Sequence, residues 1–288
     1  MNPSYIGRIA PTPTGYLHLG HAATFWTAFQ RARAAGGHLI LRIEDLDSHR
    51  CRREFALAAM EDLRWLGIEW DGEPVHQSAR RDIYLAAWRH LRDGGWIYPC
   101  SQSRKDVAAS TAAPHEEEPV FPPEWRTAPE RALEHETPEG INWSFRVPDG
   151  RRICFHDGNY GPIERTALRD FGDFVVWNRD NIPAYELAVV VDDARVTEVV
   201  RGADLLTSTA RQILLHEALG QHVPHWFHCP LVRDASGQRL AKRAAGLTIR
   251  ELRAAGRLPH EIIAELAVLD RAGPDDTSLT GLVARLTA

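Results

Sequence analysis

Lysine is nearly missing from this chain of 288 residues: Lys105 and Lys242 are the only two among 34 basic side chains, against 39 acidic ones. The formal net charge of −5 excludes a protein that coats nucleic acid through overall charge, so any such contact must be local. Long apolar runs are missing as well. No stretch nears the roughly 18 uninterrupted apolar residues of a membrane span, and the N-terminus carries neither the basic nor the apolar region that directs secretion. A soluble, cytoplasmic chain with no membrane partner is expected. The four cysteines, Cys51, Cys100, Cys154 and Cys229, form no C-x-x-C pair, which argues against a zinc knuckle or an obvious disulfide framework; they read as reduced thiols. What is present is a 44% hydrophobic composition, ample for a large core.

The first ninety residues alternate strand and helix signals, as in a sheet wound with crossover helices. Tyr5 to Ala10 reads as a short strand broken by Pro11-Thr12-Pro13-Thr14-Gly15. His21 to Ala35 sets Ala22, Phe25, Trp26 and Phe29 at helical spacing, with Gly36-Gly37 as the stop. Leu39 to Ile43 reads as a buried strand running into Glu44-Asp45-Leu46-Asp47, and helices are expected near Arg52 to Leu66 and Arg80 to Leu91. Between Cys100 and Gly140 periodicity gives way to Pro, Glu and Ala, the mark of an insertion. Strand signals return at Ile141 to Val147 and Phe174 to Trp177. The apolar run Tyr185 to Val191, closing on Asp192-Asp193, reads as a strand covered on both faces. Thr248 and Glu251 have capping-box spacing, and Pro259 suits the first turn of a further helix. Arginines available for local RNA contact are Arg31 and Arg33, Arg50, Arg52 and Arg53 around Cys51, and Arg80 and Arg81; each cluster reads equally well as a solvated helix face.

One segment condenses a strand, a rigid turn and a helix start into fourteen residues: Arg8-Ile9-Ala10-Pro11-Thr12-Pro13-Thr14-Gly15-Tyr16-Leu17-His18-Leu19-Gly20-His21. Imidazoles at His18 and His21 can donate to phosphate oxygens, Gly20 leaves the backbone open to a nucleotide, and a helix N-terminus attracts anions. The segment resembles the HIGH signature of class I aminoacyl-tRNA synthetases, and its R-x-A-P-T-P-T-G lead matches the glutamyl and glutaminyl branch. Further on, Gly237-Gln238-Arg239-Leu240-Ala241-Lys242-Arg243 resembles the KMSKS loop of the same class. There an ammonium stabilises charge as pyrophosphate leaves, and one of the chain's two lysines stands at that position.

The resemblance implies an α/β fold: a Rossmann-type parallel sheet with an inserted subdomain and a short C-terminal helical stem. The expected division is 1–98 and 141–230 for the two halves of the core, 99–140 for the insertion, and 231–288 for the KMSKS-like loop and stem. It implies catalytic roles for His18, His21 and Lys242, and ATP contacts from Gly20, Arg239, Leu240 and Lys242. Glutamate would be held by Arg8, Ala10, Thr12, Glu44, Tyr185 and Arg201, with Glu44 on the α-ammonium and the arginines on carboxylates. For Arg42, Asp45 and Asp47 a structural ion-pair cluster and a catalytic role stand level.

Within the branch, Val189 and Leu205 stand where glutamyl-tRNA synthetases usually carry asparagine and tryptophan. Val199-Val200-Arg201-Gly202-Ala203-Asp204-Leu205 resembles instead the subfamily that attaches glutamate to queuosine in tRNA(Asp). The stretch after Lys242 suits a small helical stem rather than an anticodon-binding domain. The implied partners are L-glutamate, ATP with Mg²⁺, and the anticodon arm of queuosine-bearing tRNA(Asp), the enzyme acting as a monomer. Two alternatives stand beside this: the same adenylation with a non-tRNA acceptor, and a catalytically silent RNA-binding paralogue. The subfamily's zinc ligands correspond here to Cys100, Gln102, Phe121 and Trp125. Three of the four cannot serve, so no structural zinc is expected, and Phe121 and Trp125 are expected to pack in its place.

Overall fold

The computed structural model describes residues 5–102, 120–231 and 248–269. Strand β1 (Ile6–Ile9), helix α1 (Leu19–Ala34), β2 (His38–Ile43), α2 (Arg53–Trp65) and β3 (Val75–His76) form two successive crossovers in a parallel sheet of order β1-β2-β3. The glycine stop of α1 has a defined geometry. Gly36 takes the left-handed conformation at φ +60, and a Cβ on Gly37 would lie 2.4 Å from the Tyr5 carbonyl, so only glycine lets the chain turn back against the start of β1.

After α3 (Arg81–Asp93), an antiparallel sheet of order β4-β5-β8 forms from β4 (Ile97–Cys100), β5 (Asn142–Phe145) and β8 (Phe174–Trp177). The insertion leaves and returns at a single cross-strand pair, Cys100 with Asn142. A hairpin of β6 (Arg152–Asp157) and β7 (Gly161–Thr166) was not anticipated from the sequence. It joins β9 (Glu198–Gly202) and β10 (His225–Cys229) in a sheet of order β7-β6-β10-β9. Helix α5 (Leu206–Ala218) is the crossover between β9 and β10. The two parallel groups meet where β9 lies beside β1, the Thr197 N–H donating to the Ile6 carbonyl at 2.8 Å. The chain thus leaves β1 toward β2 on one side and reaches β9 on the other, a topological switch point at the carboxyl end of β1. The α/β fold with a Rossmann-type parallel sheet is present.

The segment expected as a strand at Tyr185 to Val191 is a helix, α4 (Tyr185–Asp192). It is apolar nearly all round because Leu187 to Val190 are all buried between α3, β8 and α5. An eight-residue run of this kind carries no period that separates buried helix from buried strand. Helices α1, α2 and α3 begin and end within two residues of their expected positions, whereas α5 was not anticipated from the sequence. Among the described residues no helix is long and apolar enough to cross a membrane, and Cys51, Cys100, Cys154 and Cys229 are thiols outside any disulfide.

Helices α6 (Ile249–Ala254) and α7 (Pro259–Leu269) are no separate appendage. Ile249, Leu252, Ile262 and Leu266 enter the core made by α1, α2, β1 and β2. The capping box forms as expected, Thr248 accepting from the Glu251 N–H while Glu251 accepts from the Thr248 N–H. On the α2 side Glu61 binds Arg250 and Arg253. Beside it the Asp62 carboxylate is fully buried with neither oxygen hydrogen-bonded, 3.6 Å from Arg250 Nε. Burial pushes the Asp62 carboxyl up to about 6.

At the root of the insertion Tyr98, Cys100 and Phe121 form a small buried cluster with Trp125 packed on it. Phe121 and Trp125 meet edge to face at 5.7 Å. Beneath them Arg126 forks onto Asp173 at 2.7 and 2.8 Å, and the Tyr98 hydroxyl donates to the same carboxylate. The positions that the resemblance assigns to a metal offer one thiol, which contacts Gln102; this donor set does not fit zinc.

Two predictions follow from these contacts. Because the folded protein binds the Asp62 proton more tightly than the unfolded chain does, stability rises as pH falls from about 7 toward about 4 by this group alone. In urea titrations Asp62→Asn should stabilise the protein by about 1–3 kcal/mol at pH 8 and much less at pH 5; an equal effect at both pH values would contradict the burial argument. Dialysis against EDTA should leave the melting temperature unchanged, whereas Phe121→Ala should cost about 3 kcal/mol. Stoichiometric zinc in the purified protein would overturn the aromatic replacement.

Candidate active site

Four strand ends open into one cleft of about 580 Å³. From the carboxyl end of β1 come Ala10, Pro11 and Thr12; from β2, Glu44; from β9, Gly202, Asp204 and Leu205; from β10, Pro230 and Leu231. Arg8, Tyr185 and Arg201 line the same space, as do His18, Gly20 and His21 at the start of α1. Open α/β sheets place ligands at such a crevice. Every expected site residue among the described ones therefore lies in a single cleft. Lys242, Arg239 and Leu240 lie outside the described residues. The chain passes out of description after Leu231, a cleft residue, and re-enters at Thr248, which pairs with His18 while the Ile249 N–H donates to the Leu17 carbonyl at 2.8 Å.

His18 is the N-cap residue of α1 and holds extended backbone angles. Its ring stacks on that of His21 at 3.6 Å between centroids. The first turn of α1 carries no acidic residue, so the partial positive charge of the helix end is uncompensated by side chains there and faces the cleft. Gly20 needs no left-handed backbone. A Cβ on it would meet the His18 ring at 3.4 to 3.5 Å, ordinary contact distance.

The opposite wall is built of buried charge. Arg8, on β1, donates Nη1 to the Val200 carbonyl at 2.8 Å and approaches Asp193 at 3.5 Å through Nε. Arg42, on β2, reaches the other oxygen of Asp193 at 2.5 Å and Glu44 at 3.2 Å. Burial would raise the Asp193 carboxyl, but Arg42 and Arg8 together hold it below the usual range. Burial raises Glu44 above the usual carboxylate range, against the pull of Arg42 and Arg8; the Thr12 hydroxyl donates to its second oxygen at 3.2 Å. Arg42 thus belongs to a structural ion-pair cluster, while Asp45 binds Ser78 and His76, and Asp47 binds Arg50.

Arg201, 4% exposed, is fully engaged. Nε donates to His228, Nη1 to Gln212 and to the Tyr185 hydroxyl, and Nη2 to Thr209 and to the Leu205 carbonyl. The longest of the five bonds, 3.4 Å to Tyr185, joins two cleft-lining side chains and is the one an entering carboxylate would displace most readily.

Sequence reasoning missed Asp193, His228, Asp157, Thr209 and Gln212. For Asp193 a signal existed, since the apolar run from Tyr185 closes on two aspartates. His228 and Asp157 stand 71 residues apart with no local pattern joining them. The arginines considered for RNA contact are largely occupied: Arg31 binds Glu198, Arg33 Asp71, Arg50 Asp47, Arg80 Asp192 and Arg81 Asn181. Arg52 and Arg53 are exposed. Among the described residues no three His, Cys, Asp or Glu side chains gather as a metal cage.

Residues 6–283 match the family described as tRNA synthetases class I (E and Q), catalytic domain. The chain is 45% identical over 278 residues to the glutamyl-Q tRNA(Asp) synthetase of Symbiobacterium thermophilum, covering 91% of this chain and 85% of that relative. It is 44% identical over 268 residues to the protein of the same name from Deinococcus radiodurans, at 91% and 87% coverage. Among solved structures it resembles a glutamate tRNA ligase from Elizabethkingia meningosepticum in complex with its amino acid. That likeness has a TM-score of 0.75 and 27% identity over 92% of this chain, and this chain spans 60% of that longer one.

The geometry at Gly20 yields a prediction. Gly20→Ala should keep the melting temperature or raise stability by up to about 1 kcal/mol, since alanine favours the helix. It should weaken ATP binding about tenfold by occupying the approach to the helix end. Calorimetry and an ATP titration test the pair; unchanged nucleotide affinity would remove the helix end from the binding surface.

Proposed function

This chain belongs to the class I aminoacyl-tRNA synthetase family of glutamyl and glutaminyl enzymes, and from that premise we propose that it activates L-glutamate with ATP and transfers it to queuosine in the anticodon arm of tRNA(Asp). The observation that carries the reading is the single cleft in which a nucleotide-type wall faces an amino-acid-type wall. His18, Gly20 and His21 lie at the helix end, and Arg8, Glu44, Tyr185 and Arg201 lie across from them.

In this reading a glutamate carboxylate oxygen attacks the α-phosphorus of ATP. The bond to the β-phosphate oxygen breaks, and pyrophosphate leaves with glutamyl-adenylate remaining. His18, His21, the positive end of α1 and the Lys242 ammonium stabilise the phosphates; Arg239 and Leu240 contribute to the nucleotide site. Magnesium travels with the ATP phosphates. Glu44 receives the α-ammonium, with Ala10 and Thr12 beside it, while Arg8 and Arg201 take carboxylates. Arg8 is tied through Nε and Nη1 to Asp193 and Val200 and lines the cleft beside Tyr185, which suits it to receive an oxygen. An acceptor hydroxyl then attacks the activated carbonyl and AMP departs. The choice of queuosine rests on the names of the relatives and on the residues around Arg201.

Purified protein should exchange pyrophosphate into ATP with glutamate and not with aspartate. It should label tRNA(Asp) that carries queuosine and leave tRNA(Asp) without queuosine unlabelled. Exchange without any glutamate dependence would end the reading, and labelling indifferent to queuosine would reject the acceptor.

A further inference from the structure

Arg201, a cleft-lining residue, is held from behind by buried groups that do not themselves line the cleft. His228 is its cross-strand neighbour, since β9 and β10 pair in parallel with Arg201 opposite His228. Arg201 Nε donates to His228 Nε2 at 3.2 Å, and His228 Nδ1 lies 2.6 Å from Asp157 Oδ2. Asp157 and His228 are both 0% exposed. The other carboxylate oxygen, Oδ1, accepts the backbone N–H groups of Asn159 at 3.0 Å and Tyr160 at 2.9 Å.

The Thr209 hydroxyl also lies 3.2 Å from His228 Nε2 and can donate there beside Arg201 Nε, so one protonation pattern satisfies both neighbours. A guanidinium Nε is always a donor, so His228 Nε2 must be an acceptor and the ring proton must sit on Nδ1, donated to Asp157. Asp157 must be ionised to accept from the ring and from two backbone groups at once. Burial lowers the His228 imidazolium below its ordinary value and so favours the neutral ring that the geometry requires.

We propose that Asp157 and His228 are positioning residues for the amino-acid substrate: by fixing the His228 tautomer they hold the Arg201 fork in the orientation that meets a substrate carboxylate. The inference rests on the reading of Arg201 as a glutamate contact. Neither residue touches substrate. Their effect travels through the Nε edge of Arg201 and through Thr209, which meets both His228 Nε2 and Arg201 Nη2, leaving Nη1 and the Tyr185 hydroxyl to face the ligand.

Asp157→Asn tests this with almost no change of shape. The Asn159 and Tyr160 N–H groups require the amide oxygen at the Oδ1 position, so the new NH₂ faces His228 Nδ1. That forces the ring proton to Nε2, where it opposes the Arg201 Nε–H. In pyrophosphate exchange Asp157→Asn and His228→Leu should each raise the KM for glutamate about tenfold or more, with kcat and the KM for ATP within about threefold of the parent. His228→Gln, whose amide oxygen can take the Nε2 place, should recover most of the glutamate KM. Glutamate KM unchanged in both disruptive variants, or KM values for glutamate and ATP rising together, would overturn the proposal in favour of a purely structural role. Should the variants fail to fold, ¹⁵N-histidine spectra of the parent decide: an Nδ1–H tautomer at His228 supports the proposal and an Nε2–H tautomer overturns it. A parent enzyme with no glutamate-dependent exchange would instead reject the function from which the inference starts, a separate result.

Discussion

Two arginines on neighbouring parallel strands share one buried carboxylate, and the cleft is organised around that contact. Arg8 and Arg42 approach the two oxygens of Asp193, a residue just beyond the end of α4. Unpaired, either guanidinium buried at this depth would be strongly destabilising, and the carboxylate likewise. The constraint therefore binds the first crossover unit to the second half of the chain, with a sequence separation of 185 residues between Arg8 and Asp193. It also hands charge to the cleft. Arg42 extends to Glu44, and Arg8 turns its remaining face toward the space beside Tyr185. The ion-pair cluster and the ligand wall are one network, with Asp193 behind and Glu44 in front.

The helix end opposite depends on a different physical device. A helix N-terminus with no acidic residue in its first turn presents partial positive charge, and the stacked His18 and His21 rings stand beside it. The stem helices close this side. Ile249, Leu252, Ile262 and Leu266 pack into the same core as α1, and Thr248 is paired to the cleft residue His18. A lysine ammonium suits an electrostatic role during pyrophosphate departure, where charge must be met as it develops.

The root of the insertion achieves order by a third route. Where the resembling subfamily uses thiolates and a tyrosine around zinc, this chain sets Phe121 and Trp125 on Tyr98 and ties Arg126 to a buried Asp173. Apolar burial and a forked ion pair stand where the resemblance places metal donors.

The amino-acid sequence by itself determined the pieces whose physics is local. The strand, proline turn and helix start from Arg8 to His21, the glycine stop at Gly36-Gly37, the capping box at Thr248 and the helix periods of the first ninety residues all depend on neighbours a few positions apart. Tertiary structure alone decided whether Tyr185 to Val191 would be helix or strand, because a short run apolar on every side satisfies either once it is buried. It also decided which carboxylate would serve Arg8 and Arg42, which arginines would be occupied by acids of the same chain, and that His228 would stand behind Arg201 with Asp157 behind it. Apart from Arg50 with Asp47, those pairings join residues from 27 to 185 positions apart. They are set by the order of strands in the sheet, and strand order is a property of the packed core rather than of any local pattern.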